Sequence, residues 1–188
     1  MTPQTWGIPL VKPIDNPDAM MTDVPESDLQ LVTLGVYGST EESFFQTLSA
    51  KNVDTFVDVR RHRGLRGKRY RYANSTYLQN KLEEMGIRYV HLKSLSPPKK
   101  IREKQKAADK QKGVKKRDRT KLGNVFVDEY NSKVLDSSDL NDFFRSLPDG
   151  AEVVALFCVE REPEACHRSL LAQRLSKEYN LSLEHLIP

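Results

Sequence analysis

The sequence predicts an α/β domain: a doubly wound, mostly parallel sheet with helices on both faces, arranged as a Rossmann-like three-layer sandwich. Three observations lead there. Short β-leaning apolar runs alternate with segments of helical period along the chain. Strands joined through helices imply right-handed crossovers and a parallel sheet covered on both sides. The longest apolar run, Val153 to Val159, breaks at a charged loop and restarts as a helix with an apolar stripe at Leu170, Leu171 and Leu175. With 188 residues and no internal repeat, one domain is expected, long enough to bury about two-thirds of its unfolded surface.

Residues 1–28 hold five of the ten prolines and no sustained period, and are expected to form an extended or mobile arm. The domain proper is expected over 29–188. Leu29 to Val36 reads as the first strand, ending near Gly35 and Gly38. Ser39 is placed to cap a helix, with Glu42 completing a capping box and Phe44, Phe45 and Leu48 as its apolar face. Asp54 to Arg60 is the second strand, and a basic loop runs on to Tyr72. Ser75 then caps a helix bearing Tyr77, Leu78, Leu82 and Met85, and Gly86 suits a left-handed cap. Ile87 to Leu92 is the third strand. A lysine-rich insertion near 96–122 has almost no apolar residues with which to pack a face, so an open insertion or a solvated helix is expected. Asn124 to Leu135 and Ser138 to Leu147 read as helices. After the turn at Pro148-Asp149-Gly150 come the central strand, a helix entered at Pro163 and stopped at Asn180, and a last strand over Leu183 to Leu186.

Charge is distributed unevenly. The net +4 contains 12 lysines and arginines against 3 acids between Lys99 and Lys121, and 7 against none between Arg60 and Tyr72. An acidic body with two basic segments points to an anionic partner, either a small molecule or nucleic acid. No apolar run approaches the roughly 20 residues of a membrane-spanning helix, no secretory leader is expected, and two cysteines make no disulfide framework. A cytoplasmic location is expected; the sequence names no cofactor and no oligomeric state.

The polar residues cluster where strands are expected to end, the usual ligand position in open α/β sheets. Asp58, Cys158, Glu160 and Cys166 are the candidates for catalysis. The carboxylates suit proton transfer, and a thiol at a helix start beside His167 and Arg168 suits nucleophilic or redox chemistry. An internal ion pair, Asp58 with Arg168 or Glu160 with Arg60, is the structural alternative for the carboxylates. Gly35, Tyr37, Arg60, His167 and Arg168 are candidate ligand contacts, the two arginines as a bidentate clamp for phosphate or carboxylate. Arg61, Arg63, Arg66, Arg69, Tyr70, Arg71 and Tyr72 interleave cations with rings, as in surfaces that neutralise phosphates and stack on unpaired bases.

Several familiar patterns are absent. Gly35 to Ser39 is neither a Walker loop nor a dinucleotide fingerprint, and neither cysteine has an arginine at the spacing of a Cys-x5-Arg phosphatase loop. A zinc site would draw on Cys158, Cys166 and His167, with His62 or His91. No Cys-x-x-Cys or His-x-x-x-His spacing is present, and adjacent Cys and His side chains are expected to diverge on a helix, so no metal is expected. His91 and His185 read as core histidines.

Thr33-Leu34-Gly35, Val57-Asp58-Val59-Arg60, Gly86-Ile87-Arg88-Tyr89-Val90-His91, Cys158-Val159-Glu160 and Cys166-His167-Arg168 occur in an order and spacing that resembles the domain-of-unknown-function 488 family, over roughly Leu31 to Ile187. The resemblance implies a compact α/β domain without an established reaction. The chain differs from the family's usual pattern at Tyr37, at Arg61 to Arg66 and at Leu95 to Pro98, all in loops that would touch a substrate.

Overall fold

Five apolar runs need cover on both faces, and the chain supplies it by placing them in one parallel sheet. The computed structural model describes residues 29–188; the arm expected over residues 1–28 lies outside the described residues. The strands are β1 (Gln30–Leu34), β2 (Thr55–Asp58), β3 (Arg88–His91), β4 (Val153–Phe157) and β5 (Ser182–Leu186), in the spatial order β3-β2-β4-β1-β5. Every pairing is parallel. The chain moves outward one way through β2 and β3, then returns to β4 in the centre and leaves the other way to β5. Right-handed crossovers therefore put the first two helices on one face and the later ones on the other, which is the doubly wound architecture.

Helices α1 (Glu41–Ala50) and α2 (Ser75–Glu84) precede the insertion, α3 (Lys99–Gln111) lies within it, and α4 (Asn124–Tyr130), α5 (Asn141–Arg145) and α6 (His167–Tyr179) follow. Phe44 of α1 packs at 5.5 Å from Phe157 of β4 and 5.6 Å from Tyr72, with edge-on or tilted rings that suit aromatic quadrupoles. On the other face α6 lies against β1, β4 and β5.

Local signals were placed within a residue or two. Helix α1 is capped by Thr40 with Ser43 reciprocating, instead of Ser39 with Glu42. The Ser39 hydroxyl bonds inward to the Val36 carbonyl and to Tyr72. Asn74, not Ser75, precedes α2. Gly86 at φ 72° and Asn180 at φ 52° take the left-handed conformation that their positions predict. The helix expected from Asn124 to Leu135 passes into a π-helical turn over Asn131–Leu135, and α5 is shorter than its apolar period implied.

The lysine-rich insertion departs most from expectation. It packs, and it does so with a mixed face: Ile101, Gln105 and Asp109, four residues apart on α3, are all buried. Helix α3 lies against α4. Gln105 donates to Asp109 and accepts from the Gly123 backbone, so hydrogen bonds do there what apolar side chains do elsewhere.

At the opposite end of the sheet Asp54 holds the strand starts in register. Its carboxylate accepts from the Glu152 N–H at 2.8 Å, from the Val153 N–H, from Thr55 at 2.6 Å and from Arg88. Burial opposes its ionisation, but these donors outweigh it and hold the carboxyl below the ordinary carboxylate range. A depressed pKa contributes stability that is present above the unfolded value and disappears as pH falls through the folded one. Asp54→Asn is expected to cost about 1–2 kcal/mol near neutral pH. In urea titrations the gap from the parent should close as the pH falls below the ordinary carboxylate range.

Candidate functional site

Gly35 follows β1 and Glu160 follows β4, and their backbones touch. A Cβ at Gly35 would stand 1.9 Å from the Glu160 carbonyl oxygen, and the Val36 and Tyr37 N–H groups both donate to Val159 O. Gly35 was expected to contact ligand; its place beneath Glu160 makes it the residue that lets two strand ends meet. Gly35→Ala should cost about 2–3 kcal/mol or more by displacing Glu160, measurable by chemical denaturation.

From β2, Asp58 and Arg60 close on each other. Arg60 donates to both carboxylate oxygens, at 2.9 and 2.7 Å, and to Ala73 O at 2.9 Å, and its guanidinium lies 4.5 Å from the centre of the Phe157 ring. The Tyr89 hydroxyl donates to Asp58 at 2.8 Å; its burial and the Asp58 charge push its pKa up to about 12. Asp58 is fully buried. This is the internal ion pair, with partners other than those anticipated, and it corrects the reading of Asp58 as a proton-transfer group: every oxygen is occupied and none faces the cleft. Arg168 is also fully buried, donating to the Glu160 and Arg161 carbonyls at 2.5 and 2.8 Å. Both guanidinium groups of the expected clamp are thus held by the protein itself.

Arg119 completes the rim. It donates to Asp109 at 2.8 Å, to Glu160 at 3.2 Å and to Ala165 O at 2.9 Å, with its side chain 9% exposed. Lys116 also reaches Glu160 at 3.2 Å, and the Glu160 charge, against the cost of the lysine's partial burial, keeps that ammonium above its ordinary range. The insertion is thereby fastened to the segment that follows β4.

Between α3 and the ends of β2 and β4 lies a cleft of about 690 Å³. Cys158, Glu160, Cys166 and His167 form one wall, Arg60, Arg61 and His62 another, and Arg102, Lys106 and Lys110 of α3 face them, with Leu122 and Phe126 adding apolar surface. Asp58, Gly35, Tyr37 and Arg168 do not line it; Tyr37 stacks on Tyr70 at 5.4 Å.

Cys166 is not in a helix. Pro163 opens a single 3₁₀ turn, Pro163–Ala165, and Cys166 is the extended residue (φ −137°, ψ 141°) before α6 begins at His167. That bend aims both side chains the same way. His167 Nδ1 lies 3.9 Å from Cys158 Sγ and 3.8 Å from Cys166 Sγ. Both thiols are free and buried. Contact with Cys166 and burial raise the Cys158 pKa; for Cys166 burial is outweighed by contact with Cys158 and by the charge of Arg168, which lower it.

In the basic loop Arg61, Arg66, Arg69 and Arg71 are exposed and Arg63 is half-buried. Tyr72 corrects the stacking reading: it is 2% exposed, packed on Phe44 and Phe45 and bonded to Ser39. Tyr70 is half-buried against Tyr37 and Tyr72. His91 donates to Arg60 O at 2.9 Å and His185 bonds Thr33 at 2.8 Å, both satisfied within the fold. Sequence reading missed Arg119, Lys116, Gln105 and Asp109. For Gln105 and Asp109 the one signal was their four-residue spacing with Ile101 inside a run dominated by charge; Arg119 and Lys116 had none.

A doubly wound α/β domain with its cleft over the C-terminal strand ends is the class these observations define. The chain belongs to the family described as Domain of unknown function DUF488, whose profile matches residues 40–175. Comparison with curated proteins and with solved structures gives no match. Among the described residues no helix is long and apolar enough to cross a membrane.

Arg119→Ala leaves Asp109 without its ion-pair partner and Glu160 with only Lys116. It should cost about 2–4 kcal/mol. Amide exchange should rise in residues 99–121 well before the central strands lose protection.

Proposed function

We propose that the cleft binds an anionic small molecule, phosphate- or nucleotide-like, between α3 and the ends of β2 and β4. The supporting observation is charge. Eight lysines and arginines line the cleft against two carboxylates, and both carboxylates are already paired, Asp109 with Arg119 and Glu160 with Arg119 and Lys116. An uncompensated positive lining raises the local concentration of anions and binds them through charge-assisted hydrogen bonds. Arg102, Lys106 and Lys110 recur every fourth residue, one helical face turned to the cleft. Arg60 and Arg168 take the part of supports in this reading: they fix the strand ends from behind, and the contacts to ligand come from α3, Lys115 and Lys116. Cys158, Glu160 and Cys166 in the facing wall are the groups available for chemistry on what binds.

A second reading rests on the exposed arginines of the basic loop. Arg61 belongs both to that loop and to the cleft wall, so a polynucleotide would run from the cleft across Arg66, Arg69 and Arg71. Calorimetric titration with inorganic phosphate, nucleotides and short oligonucleotides separates the two. Under the first reading nucleotides bind, and the double variant Lys106→Ala, Lys110→Ala weakens them at least about tenfold, roughly 1.4 kcal/mol. Lys100→Ala, on α3 but outside the cleft, should leave binding unchanged. Binding of oligonucleotides alone, with a steep salt slope and loss in Arg66→Ala, Arg69→Ala, supports the second. No binding by any of the panel would sink both.

A further inference from the structure

We infer that Cys158, Cys166 and His167 form a binding site for a thiophilic divalent cation such as zinc. Their three donor atoms, two sulfurs and one ring nitrogen, all lie within 4.8 Å of one another, and they are the one such group among the described residues. A tetrahedral zinc with Zn–S of about 2.3 Å and Zn–N of about 2.0 Å separates sulfur from nitrogen by roughly 3.5 Å. The observed separations of 3.8 and 3.9 Å are within a few tenths of that edge. A cation at the centre needs only side-chain adjustment.

The tautomer of His167 is set by the fold. Its Nε2 lies 3.1 Å from the Val59 carbonyl, which can only accept, so Nε2 carries the proton. The Nδ1 lone pair then faces both sulfurs. A histidine that donates its far N–H to a backbone carbonyl while its near nitrogen meets thiols has the outer support characteristic of metal ligands. Tyr130, buried and edge-on to the imidazole at 5.5 Å, fixes the ring plane. Sequence spacing gave no such site because Cys166 and His167 were assigned to one helix. The extended backbone at Cys166 is what makes them converge.

Binding balances simply: the cation replaces two thiol protons, which leave to solvent, and two thiolates with a neutral imidazole cancel its charge. Arg168 beside Cys166 and Lys116 beside Cys158 favour the thiolates. Glu160, whose Oε2 is 3.4 Å from Cys158 Sγ, stands beside the group but outside the three-donor set. All three donors line the cleft, so the fourth position opens to it. Three protein ligands with one open position is the pattern of catalytic rather than structural zinc. The inference rests on the donors alone and does not depend on the anion reading.

The test uses the full-length reduced chain, stripped by chelation and titrated with cobalt(II). One equivalent should bind, with thiolate-to-cobalt charge-transfer absorption and the visible bands of tetrahedral cobalt, and zinc should displace it. Cys158→Ser and Cys166→Ser should abolish the spectrum, His167→Ala should weaken binding at least about tenfold, and His185→Ala, on β5 outside the cleft, should change nothing. As a readout on the unaltered protein, zinc should protect both cysteines from alkylation. The inference is overturned if the folded, reduced chain takes up no cobalt, if the spectrum survives loss of Cys166, or if zinc leaves alkylation rates unchanged. It is overturned equally if the pair only loses two hydrogens to form a disulfide and, once reduced again, takes up no metal.

Discussion

Everything at the cleft end of this domain depends on how three arginines with little access to water are held. A guanidinium cannot shed its proton, so burying one is tolerable only where oxygens surround it. Arg60 finds Asp58 and the Ala73 carbonyl, Arg168 finds the carbonyls of Glu160 and Arg161, and Arg119 finds Asp109, Glu160 and Ala165. Each joins pieces of chain that the sheet alone would leave apart. Arg60 ties β2 to the loop that follows it, Arg168 ties the loop after β4 to α6, and Arg119 ties the insertion to that same loop.

The consequence is a division of labour among the cations. Those nearest the sheet are consumed by the fold and set its geometry. Those on the cleft side of α3 remain for whatever enters. A ligand clamp built from Arg60 and Arg168 would have to break bonds the strand ends rely on; one built from Arg102, Lys106 and Lys110 breaks none. Glu160 connects the two sets, because its side chain anchors Arg119 and Lys116 while its carbonyl anchors Arg168. Its backbone has room only because Gly35 carries no side chain. The wall that holds Cys158, Cys166 and His167 is positioned by these same ties. An anion site above and a cation site in the wall are compatible, since a metal with an open position toward a basic cleft offers an anion one further partner.

The sheet was legible because each strand is a short apolar run whose physics is local: side chains of the right shape, bounded by turns. The positions of Asp58, Arg60, Cys158 and Glu160 near strand ends followed from that alone, as did the left-handed caps at Gly86 and Asn180. The insertion was not legible. Hydrophobic periodicity is blind to a helix that buries Gln105 and Asp109 through hydrogen bonds, and nothing local announces that Arg119 will reach residues 41 and 46 positions away.

The sequence by itself determined the order of elements, the parallel class of the sheet, the family membership and the two basic segments. These depend on composition and spacing within a few residues. Only the tertiary structure decided which charges were spent and which were left over, because pairing depends on distances between segments far apart in the chain. It alone withdrew Asp58 and Tyr72 from the surface. It brought Cys166 and His167 to Cys158 through one extended residue, and turned a lysine-rich stretch into the wall of a cleft.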